Sequence, residues 1–495
     1  MTSNGKSGSS VTPAMDTAPA SRKMSLFTVS MVIVVATFGF PNVIDNLAEL
    51  GLAAIPSWFA VGLLYFLPLA LILAEFSSDN AHARGGIYSF MERGLGPTWA
   101  FVGTWSYFVA NLVYLQKSFS QLPIRASLAV SGVDVFETVT WLLPLLGVVI
   151  CVALTWVASR GVRVFSVLGN WLGKAKLLLI AALVVVPFVL FFLGRPSATP
   201  ITGAALMPRF DLDYFSTFAW LLLAVAGAEV AAPYVRDTEN PQKNFPRAIL
   251  MTTVFIAAAY VLSSIAVVMV MPVERLTKAT GMYDVWVPWA QSIGLPGAVM
   301  GRLAVLVITV AGLAAYIIWI ESPIRVMFAD VPKVTFPMRL TRADEHGTLH
   351  CALWTQAAVI IALILIPLLS IVAGLAGSEA FISLLNDLAS LSLVVPYMFV
   401  ALAYVRARQK GMDAPFKMAR STPVAVAVGV LVLVVSSAGY LGAGLYALQA
   451  DPIDWIYVGI VYGGPVLLIG LGLLLRRWSL RAAAGGGSPT RRDLP

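Results

Sequence analysis

Gly39-Phe40-Pro41-Asn42 interrupts the first hydrophobic stretch of this chain, and Gly227-Ala228-Glu229, with Pro233 just beyond, interrupts the sixth. Lipid offers a backbone amide no hydrogen-bond partner, so a membrane helix tolerates a break only where the freed groups are buried in protein or line a cavity. Gly39 contributes no side chain, Pro41 lacks an amide, and the proline ring crowds the preceding turn, which makes continuous helix around Phe40 costly by about 3 kcal/mol. Alone, that pattern reads equally well as a proline kink. The second break, five spans later, changes its meaning. Five is odd, so a five-span unit repeated in tandem inserts upside down, and equivalent breaks in the two units meet near the bilayer midplane. Half-helix N-termini there aim amides at an anionic group such as a carboxylate.

Composition agrees with a membrane setting. Of 495 residues, 59% are hydrophobic and only 12% charged, with a mean hydropathy of +0.85, far from a soluble globular balance. Twelve stretches of spanning length fall at approximately 26–50, 54–77, 97–121, 137–159, 170–194, 212–235, 247–271, 301–328, 352–374, 381–405, 423–448 and 455–478, each near the roughly 20 apolar residues that cross a hydrocarbon core. Most Lys and Arg lie in segments that share a side with Arg22 and Lys23, densest at 406–420 and from Arg476 onward. Both termini are therefore expected in the cytoplasm of a multi-pass cell-membrane protein. The net charge of +8 then marks topology and contact with anionic lipid, not nucleic-acid binding. Residues 1–23 and 482–495, rich in small and polar residues, read as disordered tails.

Other chemistries find little to build on. Cys151 lies mid-span and Cys351 near a cytoplasmic helix start, so the two are not expected to meet, and His82, His346 and His350 fall in or beside cytoplasmic loops without an HExxH pattern, so no metal and no cofactor is expected. A membrane-embedded enzyme needs a nucleophile and base, or a metal cluster, at one depth, and none is visible. Glu229 stands out instead: a carboxylate in the apolar run Ala224 to Pro233 is expensive in a bilayer and marks function by default. It either takes part in transport or bonds the amides that the break frees. Lys117 is expected to snorkel outward, and Glu75 and Glu321 to sit near cytoplasmic helix ends. Asp387, after Asn386, faces an outer vestibule or a solvated helix start. Lys176 reads from its position as a cytoplasmic anchor or a functional cation. The aromatics of Tyr283 to Ala290 suit a short helix, either anchored at the interface or capping a vestibule.

At this level of detail the residues resemble a family. The stretch Gly227-Ala228-Glu229 through Asn240-Pro241 to Pro246 is similar to helix 6 and the following loop of the amino acid–polyamine–organocation superfamily. Ala74-Glu75-Phe76 and Gly85-Gly86-Ile87-Tyr88 match a second signature, and Trp319 to Arg325 resembles the end of helix 8 in its glutamate/GABA antiporter family. The resemblance covers about residues 24–478. It implies an all-α polytopic membrane protein with a LeuT-like fold: 12 transmembrane helices, repeats over 24–200 and 201–410, and two appended helices within 411–481. It further implies amino acid transport by alternating access. Phe40, Pro41, Asn42 and Val43 would offer backbone to the substrate carboxylate, and Gly227, Ala228 and Glu229 would flank its amino group. Lys176, in Ala175-Lys176-Leu177-Leu178, resembles the helix 5 lysine that sodium-independent members place where relatives hold sodium.

The chain also departs from the family pattern. Phe38-Gly39-Phe40-Pro41 replaces the usual glycine-rich clamp, Leu223 stands where a gating Trp is usual, and the helix 8 acidic position falls near Ala315-Tyr316. A cavity lined by Phe38, Phe40, Tyr316 and Trp319 suits a neutral or apolar amino acid better than glutamate. The expected function is sodium-independent exchange or proton-coupled uptake of amino acids, by a monomer or homodimer whose partners are the substrate, lipids and protons. A polyamine or amine permease is the alternative within transport, and a nontransporting sensor with a transporter fold the alternative outside it.

Overall fold

The computed structural model describes residues 23–79, 86–160, 162–235, 237–332, 335–345, 347–372, 378–442, 445–448 and 455–485. The expectations for His82, His346 and most of both tails, and for the side chains of Asn386 and Asp387, lie outside the described residues.

Helices dominate, and no strand forms among the described residues beyond an isolated bridge between Met24 and Thr238. In chain order they are α1 (Leu26–Thr37), α2 (Phe40–Leu50), α3 (Ala54–Val61), α4 (Leu67–Asp79), α5 (Ile87–Leu95), α6 (Pro97–Ser131), α7 (Leu142–Ala158), α8 (Val162–Phe192), α9 (Gly203–Leu206), α10 (Leu212–Ala224), α11 (Pro241–Val270), α12 (Gly281–Asp284), α13 (Trp286–Gln291), α14 (Gly297–Arg325), α15 (Met338–Thr341), α16 (His350–Val372), α17 (Ser378–Gln409), α18 (Thr422–Gly442) and α19 (Trp455–Gly485). A π-helical turn over Gly62–Phe66 joins α3 to α4. Among the described residues, seven helical segments are long and apolar enough to cross a membrane. The first, Leu26–Asp79, holds 54 residues and contains two of the expected spans, with Gly51 at φ 58° between them. Leu142–Ala158 and His350–Ile366 are shorter apolar helices.

Both expected interruptions are present. The first span divides into α1 and α2 around Phe38 and Gly39. The sixth divides into α10 and a 3-10 segment, Ala228–Tyr234. Packing follows the order of the spans with a regularity. Spans five apart pack on each other: α4 on α11, α6 on α14, and α7 on α16. Other contacts come in matched pairs on adding five: α6 with α17 answers α14 with α8, α6 with α16 answers α14 with α7, and α1 with α8 answers α10 with α17. This is the pattern expected of two five-helix units related by a two-fold axis.

Several expectations are corrected. Helix α6 does not stop near 121 but continues through Pro123 to Ser131, because neighbouring helices cover the freed carbonyl and the run stays helix-compatible. Helix α8 begins at Val162, so Lys176 lies roughly 21 Å along its axis instead of at a solvated start. Residues 482–485 continue α19, since Ala482 to Ala484 are strong helix formers. Glu75 and Glu321 do not reach solvent: they are 0% and 3% exposed and are paired. Glu75 accepts from Arg408 Nη1 (2.9 Å), Tyr404 OH (2.7 Å) and Met418 N (3.1 Å). Glu321 accepts from Arg325 Nε (2.9 Å) and Tyr234 OH (3.2 Å). The aromatics of the 272–300 loop form α12 and α13, with Trp286 and Trp289 buried. Trp286 packs edge-on to Phe40 at 6.2 Å, and Trp289 Nε1 donates to Ala182 O at 3.0 Å. This segment therefore caps the first break.

Candidate functional site

A helix that ends leaves its last four carbonyls without helical partners. In α1 the last four belong to Val34, Val35, Ala36 and Thr37; the first keeps the ordinary helical bond, and the other three each receive a different side-chain donor. Phe38 N donates to Val34 O at 3.1 Å. Lys176 Nζ, from α8, donates to Val35 O at 2.9 Å. Trp319 Nε1, from α14, donates to Ala36 O at 3.1 Å. Tyr260 OH, from α11, lies 3.1 Å from Thr37 O. Three helices thus hold the open end of a fourth. A lysine is the fitting cation there, since a helix C-terminus carries partial negative charge. Its ammonium also lies 6.0 Å from the Phe38 ring centroid.

Tyr260 ties the two breaks together. Its hydroxyl accepts from Gly39 N and Asn42 Nδ2, both at 3.1 Å. It also lies 2.9 Å from Ala224 O, the last residue of α10. A hydroxyl has one proton, so it serves the end of α1 or the end of α10 at a given moment. The ring is held in turn by Trp58, stacked at 4.1 Å, and by Phe38 at 4.8 Å.

The second break is closed by its own carboxylate. Glu229, 1% exposed, accepts from Gly227 N at Oε2 (3.0 Å) and from Tyr397 OH at Oε1 (2.7 Å). Gly227 has φ 139°, and a Cβ there would overlap Thr37 Oγ1. The close approach of the two interrupted spans therefore demands glycine.

The anticipated residues assemble unevenly around this centre. Phe40, Pro41, Asn42 and Val43 form the first turn of α2, with Phe40 and Val43 buried. Gly227, Ala228 and Glu229 face them across Thr37. Trp319 spends its indole donor on α1, while Tyr316 accepts from Arg125 Nη1 at 2.8 Å. Lys117 does not extend alone to the surface; its ammonium lies 4.7 Å from the centroid of the Trp220 ring, on α10. Sequence reasoning missed Tyr260, Tyr397 and Arg125. A tyrosine in a long apolar helix carries no signal of its own, whereas Arg125 was hidden by placing the end of α6 too early.

Two broken spans meeting at carbonyl ends, with a cation from a third helix on one of them, define a secondary transporter that works by alternating access. The chain belongs to the amino acid permease family, whose model matches residues 24–465. It is 28% identical over 470 residues to the aspartate/glutamate permease AcaP of Lactococcus lactis, covering 92% of this chain and 95% of that one. It is 24% identical over 344 residues to the glutamate/gamma-aminobutyrate antiporter of the same species, covering 66% of this chain and 65% of that one. Among solved structures it resembles MhsT in complex with L-phenylalanine, with a TM-score of 0.60 and 16% identity over 86% of this chain and 99% of that one. The LeuT-like fold follows.

Proposed function

We propose that this protein exchanges amino acids, or takes them up with protons, across the cell membrane without sodium, with both termini in the cytoplasm. Residues 24–200 and 201–410 are the two inverted repeats in this reading, and 411–481 carries the appended helices. The substrate sits between the two breaks. Its α-carboxylate lies at the first turn of α2, where the Phe40 and Asn42 region presents a helix N-terminus to an anion. Its amino group lies against the backbone around Gly227 and Ala228. Protons and membrane lipids are the remaining partners.

The observation that carries the reading is Lys176 Nζ on Val35 O at 2.9 Å. An ammonium on the open carbonyl end of a broken helix does electrostatically what a bound monovalent cation would do, so no cation need be supplied from solution. As the bundle of broken helices rocks against the rest, this bond makes and breaks with α1. Purified protein in liposomes is expected to exchange labelled amino acids equally well in sodium and in choline buffer. Lys176→Ala is expected to lose most transport. Full activity in that variant, or a requirement for sodium, would remove the assigned role of Lys176.

A further inference from the structure

We propose that a cavity at the end of α8, walled by Arg195, holds the phosphate of an anionic phospholipid headgroup and braces the segment that caps the first break. The site is independent of which substrate is carried and of which way the chain faces.

Depth comes from the charges of α8. Between Lys174 and Arg195 the chain carries no charge except Lys176, which turns inward to Val35 O. Lys174 is exposed, with its ammonium 4.9 Å from the centroid of the Trp171 ring, and Arg195 is exposed as well. The stretch between these two cations is roughly 31 Å long at 1.5 Å per residue, close to the thickness of about 30 Å of a hydrocarbon core. Its last residues face lipid: Phe192 and Leu193 are 81% and 78% exposed. Arg195 therefore sits at headgroup level. Gly194, at φ 93°, turns the chain back there, with Gly194 N on Phe191 O and Arg195 N on Leu190 O, both at 3.0 Å, the usual glycine-closed helix end. The returning segment pairs with the end of α11, Ala198 N on Met269 O at 3.0 Å and Thr199 N on Val268 O at 2.9 Å. Arg195 Nη1 donates to Ser292 O, just past α13, at 2.9 Å. The ends of α8, α11 and α13 thus surround a cavity of about 330 Å³, whose walls include Leu190, Arg195, Ala198, Met269, Gln291 and Ser292.

The charge of this cavity has one sign. Among the described residues no Asp or Glu lines it. The carbonyls of Leu190, Phe191, Val268, Met269 and Ser292 already have donors, which leaves the guanidinium as the unspent charge. A guanidinium has five N–H donors in a planar fork that suits a phosphate, and Ser292 O takes one of them. No carboxylate is present to receive the ammonium of a zwitterionic headgroup, which Arg195 repels, so an anionic headgroup such as phosphatidylglycerol is selected. Its acyl chains continue along the exposed Phe192 and Leu193, an apolar wall from which a free phosphate gains nothing. Through Ser292 the headgroup is joined to α13, whose Trp289 is fixed to Ala182 O and whose Trp286 covers Phe40.

The test uses the full chain purified in detergent, its melting temperature followed as phosphatidylglycerol, phosphatidylcholine of the same acyl chains, or inorganic phosphate is added. Phosphatidylglycerol is expected to raise it most. In Arg195→Gln the half-maximal concentration of that lipid should rise roughly tenfold, the loss of one charge-assisted hydrogen bond, while Arg195→Lys should keep part of the response. Ala198→Trp, which fills the cavity and leaves the arginine in place, should weaken the response as well. Arg420→Gln, at an exposed arginine outside the cavity, should respond like the parent. An equal rise with both lipids in the unaltered protein overturns the proposal even if the variants do not fold. An unchanged response in folded Arg195→Gln and Ala198→Trp, or an equal loss in Arg420→Gln, overturns it as well. A matching rise with inorganic phosphate overturns the lipid as occupant.

Discussion

Tyr260 shows how much of this site hangs on single atoms. Its hydroxyl is the meeting point of Gly39 N, Asn42 Nδ2, Thr37 O and Ala224 O. Tyr260→Phe keeps the ring stacked on Trp58 yet leaves those buried groups without a partner, at about 1–3 kcal/mol for each group left unsatisfied. A markedly lower melting temperature in detergent, with transport lost, is the expected result; a melting curve like that of the parent would mean that water or substrate serves these groups instead. Gly227→Ala tests the same junction from the other side. Its φ of 139° is strained for any residue with a Cβ, costing about 1–3 kcal/mol, and the new methyl overlaps Thr37 Oγ1. Trimming the neighbour in Gly227→Ala with Thr37→Ala is expected to recover only part of the stability, because the backbone term remains. Full recovery would assign the whole cost to the clash.

Helix α4 is joined to the end of α17 by a buried ion pair. Glu75 and Arg408 are 0% and 4% exposed, and Arg408 Nη2 also donates to Ala419 O at 2.7 Å, so one cluster fixes α4, α17 and the loop that follows. Removing one partner strands the other in a low-dielectric site, a loss of about 3–5 kcal/mol, whereas replacing both by apolar residues costs far less. Thermal melts of Glu75→Gln, Arg408→Met and the double variant should show the double variant more stable than either single one; additive losses would contradict the pairing. Such elements also show what a sequence can reveal. The two breaks were legible because Gly39, Pro41 and Gly227 forbid ordinary helix whatever surrounds them. Glu75 was visible as a charge but not as a paired one, since Arg408 lies more than three hundred residues away and was counted among topology-setting cations. Arg125 was lost to a boundary: Pro123 signals an end in water, yet in a packed bundle the helix runs on to Ser131. Lys176 could be read from its position as an anchor or a functional cation because the start of α8, with Arg163, Ser166, Gly169 and Asn170, did not read as part of the span.

At the scale of the whole molecule, the first break is held by helices distant in sequence. Of the carbonyls at the end of α1, Val35 O is met by Lys176 of α8, whereas Ala36 O and Thr37 O are met from beyond the second break, by Trp319 of α14 and Tyr260 of α11. The end of α1 thus depends on helices that follow the second break, and the seam between them is where structure can rearrange. Alternating access further requires that the seam open to defined sides, so the orientation of the chain matters. The two cysteines report it without any engineering. Cys351, at the start of α16, is exposed, and Cys151, within α7, is fully buried. With both termini in the cytoplasm, Cys351 lies on the cytoplasmic side. A membrane-impermeant maleimide should therefore label the unaltered protein once in inside-out vesicles and leave it unlabelled in right-side-out vesicles until the membrane is permeabilised. Loss of the label in Cys351→Ser would assign the signal. Labelling in right-side-out vesicles alone would invert the topology while leaving the geometry of the breaks themselves untouched.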